Sequence, residues 1–430
     1  MEQVDGIRLQ RFRQLKNEIR GSDQYLIVGI DVAKERHNAF FGTAAGKTLH
    51  KGLFFDNTVE GFRKLLTMTE ALKVQHDLTT VVFGLEPTAN YHKPLGEHLI
   101  ECGHLVVLVA GAAVKNNRPL LDGRWDKHDT KDSANVADLM CQGKFLYYEY
   151  PDPEMQDLRN LLALKRRLKK EEHGFQVRIR NQLLAQYFPE MDRHFGTAVS
   201  LAVVGRYLDP SIIAGMEFDE FRRSVAPGRM NIAQQKLLQA IWRAAPESIG
   251  CHVGDEVLFE AKVMVSKLHQ VRETIKEVKD KIEDICMHFP EYPCLLSIPG
   301  FGPDVSSKVL GAIGNPFRFI SGKQALKMAG FDLCANRSGK TSNSATPVIS
   351  KQGKADLRYA LYQAAFSASF NDKGFITYYT NKLRGRQKEK GIGTKMRVKI
   401  AAKLLVIAWT LMKKKETFDP KYLNKEDTTV

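Results

Sequence analysis

The spacing of hydrophobic and polar positions changes along the chain, and this change predicts its architecture. A charged opening helix occupies residues 1–22, and short apolar runs rich in Val, Ile and Phe follow, which predict buried strands. Strands are predicted in YLIVGIDVA (25–33), HNAFFGTAA, KTLHKGLFFDN, TTVVFGLE and HLVVLVA, with helices at 58–72, at 91–101 and from near Lys131. Three early strands, followed by strands that alternate with helices, predict an α/β domain with a mixed sheet over residues 24–150.

The middle of the chain is predicted to be helical. Residues 154–188 form a long basic helix, and a heptad seam of about four repeats follows after residue 260. The seam comprises Ala261, Met264, Leu268, Val271, Ile275, Val278, Ile282, Ile285 and Phe289. It is compatible with an intramolecular hairpin or with an intermolecular coiled coil, and we favour a role in oligomerisation. Residues 151–290 are therefore predicted to form a helical, coiled-coil connector.

The last region, residues 291–415, is predicted as a helical domain. LLSIPGFGPDVSSKVLGAIGNP (295–316) has the pattern of a helix, a Pro-Gly-x-Gly turn and a second helix, and resembles a helix-hairpin-helix element. Gly300 and Gly302 would let the backbone approach a DNA phosphate, which amides at the next helix start can bind. A turn between two packed helices gives the same pattern. The apolar stretch at 400–412 is too short to span a membrane and predicts a buried helix.

Charge changes the picture more than composition does. The 430 residues include 64 Lys and Arg against 49 Asp and Glu, a net charge of +15. This excess predicts a polyanionic partner, most often nucleic acid, although a generally basic protein is the alternative. The six cysteines of the chain form no C-x-x-C pair, which predicts reduced thiols. The opening segment lacks the apolar core of a signal peptide, so a cytoplasmic protein without a membrane anchor is expected.

Four acidic residues are candidates for metal binding. Asp31 in GIDVAK and Glu86 in GLEPTANY each end a predicted strand, and Asp129 and Asp132 lie three apart at a helix start. Clustered carboxylates repel one another unless cations neutralise them, and oxygen ligands suit Mg²⁺ or Mn²⁺. Two such ions, about 4 Å apart, can clamp the attacking and leaving oxygens of a phosphodiester. Each acid alone also fits a turn or helix cap, and Asp126 and Asp138 are neighbouring alternatives.

The segments GIDVAK, GLEPTANY and DTKDSANVADL together resemble the DEDD-type transposases of bacterial insertion sequences, the IS-one-ten and IS-triple-eleven group. Piv-type DNA invertases share the pattern. The resemblance extends over nearly the whole chain. It implies a RuvC-like, RNase H-like fold for the N-terminal domain, in which Asp31, Glu86, Asp129 and Asp132 bind Mg²⁺.

A second block, AGFDLCANRSGKTSNSATPVISKQGKADLRYALYQAA (329–365), resembles the C-terminal block of the same family. In that family the serine of a Ser-Gly pair becomes linked to DNA, which implies Ser338 as the nucleophile, with Ser342 and Ser344 as close competitors. A hydroxyl needs activation, which metal ions or nearby cations can supply. The expected nucleic-acid-binding residues of this region are Gly300, Gly302, Arg337, Lys340, Lys351 and Arg358. ATP binding is excluded because Cys334 stands where a phosphate loop needs its first glycine.

The expected function is DNA cleavage and rejoining through a phosphoserine link. The resemblance further implies a bridge RNA as partner and assembly of a homo-oligomer, a dimer or tetramer. Three alternatives remain open: a Piv-type invertase, a RuvC-like Holliday-junction nuclease that cuts with water, and a non-catalytic nucleic-acid-binding protein whose acids cap helices.

Overall fold

The computed structural model describes residues 2–122, 129–334 and 348–424. The chain divides into two compact units, Met1–Asp152 and Pro153–Val430. The first unit contains helices and a mixed β-sheet, and the second is predominantly helical, as the hydrophobic pattern predicts. The finer division at residues 150 and 290 into three domains stays a prediction.

Within the described residues, six strands of the first unit form one mixed sheet. They are β1 (Tyr25–Asp31), β2 (Arg36–Thr43), β3 (Thr48–Asp56), β4 (Thr80–Leu85), β5 (Leu105–Leu108) and β6 (Leu146–Tyr147). The spatial order is β3-β2-β1-β4-β5-β6, in which β1 runs parallel to β4 and antiparallel to β2. The central strands β1 and β4 are almost continuously apolar because helices cover both of their faces.

Among the described residues of this unit, five helices cover the sheet: α1 (Glu2–Glu18), α2 (Val59–Gln75), α3 (His92–Glu101), α4 (Gly111–Asp122) and α5 (Asp129–Cys141). Alternate residues of β1 point to opposite faces. Leu26, Val28 and Ile30 enter a core with α2 and α3, whereas Ile27 enters a core with α4, α5 and the end of α1. The opening helix, expected to be a charged lead-in, is therefore part of the first unit through the buried residues Leu15 and Ile19.

The second unit contains fourteen helices in the described ranges. They are α6 (Pro153–Arg178), α7 (Ala185–Tyr187), α8 (Ala198–Arg206), α9 (Pro210–Ala214), α10 (Phe218–Val225), α11 (Ile232–Ala244), α12 (Asp255–Met287), α13 (Glu291–Leu296), α14 (Pro303–Ile313), α15 (Gly322–Ala329), α16 (Ala355–Asn371), α17 (Lys373–Leu383), α18 (Ile392–Lys414) and α19 (Lys421–Asn424). A π-helical turn continues α6 (Ile179–Leu184), and three 3₁₀ turns occur at Pro189–His194, Ala245–Glu247 and Pro316–Arg318. Two short strands, β7 (Leu333–Cys334) and β8 (Val348–Ile349), pair with each other.

The heptad seam lies on α12, which packs against α6 and α8 of the same chain. Five of its predicted residues are buried: Ala261, Leu268, Ile275, Val278 and Ile282. Val265 and Cys286 are also buried, while the predicted Met264 and Ile285 are half-buried. Arg272 Nε on α12 lies 3.1 Å from Glu172 Oε1 on α6. The seam thus has partners within one chain, and its role in oligomerisation stays a prediction.

Tertiary ion pairs neutralise some of the positive charge that the sequence places on helix α6. Acidic residues far away in the chain pair with its cations: Lys165 Nζ lies 2.5 Å from Asp304 Oδ1, and Arg166 Nη1 lies 3.0 Å from Asp356 Oδ2. Burial disfavours the charged form of Asp304, but hydrogen bonds from Lys165 and Lys308 outweigh it and lower the pKa of Asp304. Part of the basic face of α6 is therefore neutralised by tertiary contacts.

The apolar stretch at 400–412 lies in α18, and its buried residues include Leu404, Leu405, Ala408 and Leu411. This confirms the predicted buried helix. No helix in the described ranges is long and apolar enough to cross a membrane.

Candidate active site

Asp31 and Glu86 lie at the same end of two neighbouring parallel strands. Asp31 is the last residue of β1, and Glu86 follows the last residue of β4. The strands are in register at Ile30 and Leu85, and the Glu86 amide donates a hydrogen bond to the Ile30 carbonyl at 3.4 Å. The carboxyl ends of parallel strands form the usual position of α/β active sites. The two acids are therefore placed at the same edge of the sheet, and their joint role in metal binding stays a prediction.

A pair of glycines lets α5 approach the sheet beside these acids. Gly29 and Gly84 are partners on β1 and β4, each two residues before its acid. A methyl group added to Gly29 would lie 2.6 Å from the Ala137 nitrogen and would also collide with the Ser133 carbonyl; one added to Gly84 would collide with the Met140 sulfur. A glycine in a strand interior often marks such close approach, and this signal was present in the sequence.

We expect Gly29→Ala to lower the stability of the protein by about 3 kcal/mol or more, because the new methyl group must push the α5 backbone away from the sheet. Thermal denaturation followed by circular dichroism measures the effect. Gly6→Ala is the matched control, since Gly6 lies in a helix with open space around it and alanine is favourable there. Equal melting temperatures for Gly29→Ala and the unmodified protein would contradict the close approach.

Asp132 is buried in the second turn of α5 and forms an ion pair with α4. It is 2% exposed, and its Oδ1 accepts a hydrogen bond from Arg118 Nε at 2.8 Å. A buried carboxylate without a partner would be costly, and Arg118 supplies the compensating charge. Sequence reasoning did not identify Arg118, because α4 itself was not predicted. Its Gly111 start, its Pro119 and its two asparagines all weaken the helical pattern.

Asp138, the alternative to Asp132 on the same helix, has a structural role. Its Oδ2 accepts hydrogen bonds from Asn117 Nδ2 and Gln142 Nε2, both at 2.7 Å. Asn117 also donates to Asn135, which in turn donates to the Val114 carbonyl. These amides fix α4 against α5 and leave Asp132 as the better candidate for chemistry. Asp126, the other alternative, lies outside the described residues.

Buried polar residues lie around the end of β1, and one pair of them connects α5 to the neighbouring strand β2. Ser133 Oγ, next to Asp132 in the chain, donates to Asn38 Oδ1 at 2.5 Å, and Asn38 is the cross-strand partner of Asp31. His37, also buried, accepts a hydrogen bond at Nδ1 from the Ala33 amide in the turn after Asp31. Burial lowers the pKa of His37, which favours the neutral form that this acceptor role requires. The surroundings of Asp31 are thus held by buried groups.

Glu86 lies beside the start of α4. A methyl group built on Gly111, the first residue of that helix, would come within 2.9 Å of Glu86 Oε1. A carboxylate at a helix N-terminus is stabilised by the partial positive charge of the helix dipole. Gly111 therefore makes room for the Glu86 carboxylate, a role that the sequence alone did not indicate.

The predicted acids have the chemistry of a site for a hard divalent cation, since all supply carboxylate oxygens. Asp129 begins α5, but its side chain lies outside the described part of the structure. Among the described side chains, no group of three or more His, Cys, Asp or Glu is arranged to hold a metal ion. The donor types and the shared sheet edge of Asp31 and Glu86 fit a site for a divalent cation.

The described parts of the C-terminal block lie in the second unit and contact each other on both sides of residues 335–347. Gly330 ends α15 with φ +74, as the predicted Ala-Gly-Phe helix end requires. β7 and β8 pair Cys334 with Val348, and Ser350 Oγ donates to Asp332 Oδ1 at 2.5 Å. These contacts join the two ends of the segment 335–347, which contains Ser338, Arg337 and Lys340. That segment lies outside the described residues.

The other predicted nucleic-acid-binding residues differ in whether the protein itself already contacts them. Gly300, with φ +86, approaches the Ala364 carbonyl of α16, so its missing side chain is required by protein packing. Gly302, the cap of α14, has open space where a side chain would be. Arg358 Nη1 donates to the Ala329 carbonyl at the end of α15 at 2.8 Å, whereas Lys351 is exposed. Lys351 is thus the exposed residue of these four, and Gly302 is the glycine with no close neighbour.

Comparisons with known proteins agree with this organisation. A family model described as a transposase, of the IS110 DEDD type, matches residues 28–189 and includes all four predicted acids. A second model, described as the transposase IS116/IS110/IS902 family, matches residues 292–380 and includes Ser338. An uncharacterized 43.6 kDa protein of insertion element IS110 from Streptomyces coelicolor is 24% identical over 377 residues, which are 86% of this chain and 89% of that protein.

The two units and their matches define an enzyme class: this is a DNA transposase, a protein that cuts and rejoins DNA. Within that class, the chain belongs to the IS110 family of insertion-sequence transposases with a DEDD domain.

Proposed function

We propose that the chain moves its insertion sequence by cleaving and rejoining DNA with two sets of groups, a DEDD metal site and a serine nucleophile. Asp31, Glu86, Asp129 and Asp132 would hold Mg²⁺ or Mn²⁺, and Ser338 would attack the DNA. The observation that carries the metal site is the pair Gly29 and Gly84: in register on adjacent strands, two residues before Asp31 and Glu86, they admit the helix that carries Asp132.

The proposed reaction conserves the number of phosphodiester bonds. The Ser338 oxygen forms a bond to a backbone phosphorus and loses its proton, while the bond from phosphorus to a sugar oxygen breaks and that oxygen takes up a proton. A sugar hydroxyl of the second DNA then attacks the phosphoserine and releases the serine. Each step exchanges one ester for another, so ATP is not needed. Bound divalent cations would supply Lewis-acid stabilisation of the charged phosphorane.

Residues of the chain have distinct parts in this proposal. Arg118 balances the charge of Asp132 and fixes its position relative to α4. Ser133 and Asn38 connect α5 to β2 beside Asp31, and His37 accepts a hydrogen bond from the turn after Asp31. The β7–β8 pair and the Ser350–Asp332 hydrogen bond anchor the segment that carries Ser338. Lys351, Arg337 and Lys340 are proposed to contact phosphates.

The wider assembly belongs to the same proposal. We infer an RNase H-like arrangement for the first unit, supported by its mixed sheet and strand-end acids. A bridge RNA and a dimer or tetramer, in which the acids of one protomer act with the serine of another, follow from the family resemblance. The net charge of +15 supports a nucleic-acid partner but does not favour RNA over DNA.

The test is an in vitro recombination assay with RNA that co-purifies with the protein. We expect joined DNA products with Mg²⁺ or Mn²⁺, and loss of these products when a chelator removes the metal, with activity restored on adding Mg²⁺. A covalent protein–DNA species should accumulate when the second DNA is withheld. Mg²⁺-dependent cutting without that species would indicate a resolvase-like nuclease that uses water.

A further inference from the structure

Helix α16 exposes a row of aromatic rings on one face. Tyr359, Phe366 and Phe370 are separated by seven and four positions, which places them on the same side of the helix. They are 65%, 45% and 58% exposed, whereas the opposite face of α16 is buried in the core. A single exposed ring is ordinary on a protein surface, but a row of large apolar side chains marks an interaction site.

Arg397 of α18 lies against two of these rings and against a third ring on α17. Its guanidinium carbon is 4.7 Å from the ring centre of Phe366, 5.3 Å from that of Phe370 and 5.3 Å from that of Tyr379 on α17. Arg397 makes no ion pair with any described residue, and its buried Nε has no hydrogen-bond partner among them. Because rings rather than carboxylates hold this cation, its charge is not cancelled by the protein and is available to an anion.

The neighbouring turn adds further positive charge. Arg384, Lys388 and Lys390 are exposed between α17 and α18, and Lys395 is exposed in the first turn of α18. The acid of this stretch, Glu389, is bound by Arg386, with its carboxylate 2.7 Å from Nε. Lys395 also helps to lower the pKa of Glu389, whereas Arg384, Lys388 and Lys390 form no ion pair with a described carboxylate. One acid therefore faces five cations, and the turn keeps a net positive charge. The surface therefore combines flat apolar rings with uncompensated cations.

We propose that this surface, defined by Tyr359, Phe366, Phe370 and Arg397, binds an unpaired strand of nucleic acid. Flat bases stack on aromatic rings, and the backbone phosphates are attracted by adjacent cations, which is the combination that single-strand binding requires. Base-paired DNA hides its base faces and would leave the rings unused. The inference goes beyond the proposed reaction, because it depends neither on the four acids nor on Ser338.

A second copy of the chain fits this surface less well. In a symmetric dimer the same surface of each protomer would meet at the interface. Two uncompensated basic turns would then lie against each other and repel, at a cost that an apolar contact between rings must overcome. The charge of the surface thus favours a polyanion over a second protomer.

The test measures binding of short fluorescent oligonucleotides to the full-length protein in the presence of a chelator, which prevents cleavage. Three probes are compared: oligothymidine, oligouridine and an abasic strand with the same number of phosphates. The double variant Phe366→Leu with Phe370→Leu keeps the apolar contacts but removes the flat ring faces. We expect it to bind the two base-containing strands about tenfold more weakly or worse, with unchanged binding of the abasic strand. Arg397→Gln should weaken binding of all three probes.

Phe259→Leu is the matched control, because Phe259 is an exposed phenylalanine on α12, away from this surface; its affinities should equal those of the unmodified protein. Thermal denaturation verifies that each variant is folded.

Equal affinity of the double variant and the unmodified protein for oligothymidine and oligouridine would overturn the proposal. Loss of self-association in sedimentation, with strand binding unchanged, would assign the surface to a protein partner. Tighter binding of oligouridine identifies RNA as the preferred strand, and tighter binding of oligothymidine identifies DNA.

Discussion

Asp31→Ala is expected to reduce DNA strand cleavage about a thousandfold at saturating Mg²⁺. Metal ions at such a site stabilise transition-state charge by several kcal/mol, and each 1.36 kcal/mol corresponds to a tenfold change in rate. Asp31 ends β1 beside Glu86, so its removal takes away one of two acids at that sheet edge. Asp132→Asn should have a similar effect, since the amide removes the charge and leaves Arg118 without its partner. Cleavage of labelled DNA, with a Mg²⁺ titration, measures both variants.

Asp56→Ala is the matched control for Asp31→Ala. Asp56 also ends a strand, β3, but is exposed and lies 4.0 Å from Arg36 in a surface ion pair of small value. We expect its cleavage rate to stay within about twofold of the unmodified rate, since the loss of such a pair is worth less than about 1 kcal/mol. The metal-site proposal fails if Asp31→Ala and Asp132→Asn both cleave as fast as Asp56→Ala. If Asp132→Asn lowers only the melting temperature, the Asp132–Arg118 pair is purely structural.

Ser338→Ala is expected to abolish the covalent protein–DNA species, because alanine has no oxygen to bond to phosphorus. When single triad groups are removed from serine enzymes, the loss in rate reaches about a millionfold. A comparable loss is expected here if Ser338 is the nucleophile. The measurement is denaturing gel electrophoresis of labelled DNA after incubation with protein and Mg²⁺, which retains a covalent species and dissociates a bound one.

Ser342→Ala and Ser344→Ala are the controls, because both hydroxyls lie in the same polar segment and compete with Ser338 as candidates. Both variants should form the covalent species at the normal rate. If Ser338→Ala forms it and one of the others does not, the nucleophile is that other serine. If all three variants form it, none of these serines is the nucleophile. The mass of a peptide carrying the DNA residue identifies the linked side chain directly.

The hydrophobic pattern of the sequence determined most of the secondary structure. Each of the five predicted strands before residue 111 is present. Asn57 and Thr58 both suit the cap of α2, and Thr58 takes this position, with its hydroxyl accepting from the Gly61 amide at 3.1 Å. The buried helix at 400–412 was equally clear. These elements depend on local spacing of apolar residues and on capping groups, which one sequence contains in full.

The sequence also determined the family, because the acids and the C-terminal block lie in recognisable local contexts. It could not show what surrounds each acid. Arg118 is fourteen positions before Asp132, in a helix whose glycine, proline and asparagines hide its periodicity, so their ion pair emerges only when α4 packs on α5. Likewise, the acids that neutralise Lys165 and Arg166 lie more than a hundred positions away in the chain.

The tertiary structure decided which residues of similar type do different work. Asp132 and Asp138 have the same helix and similar sequence context, but packing directs one to Arg118 and the other to Asn117 and Gln142. Gly300 and Gly302 look equivalent in the sequence, yet only Gly300 is pressed against another backbone. The local hydrophobic pattern determines which helix or strand forms and which of its faces is buried, because both depend on neighbours in the chain. Partners across elements depend on which faces meet, and that is set by the fold as a whole.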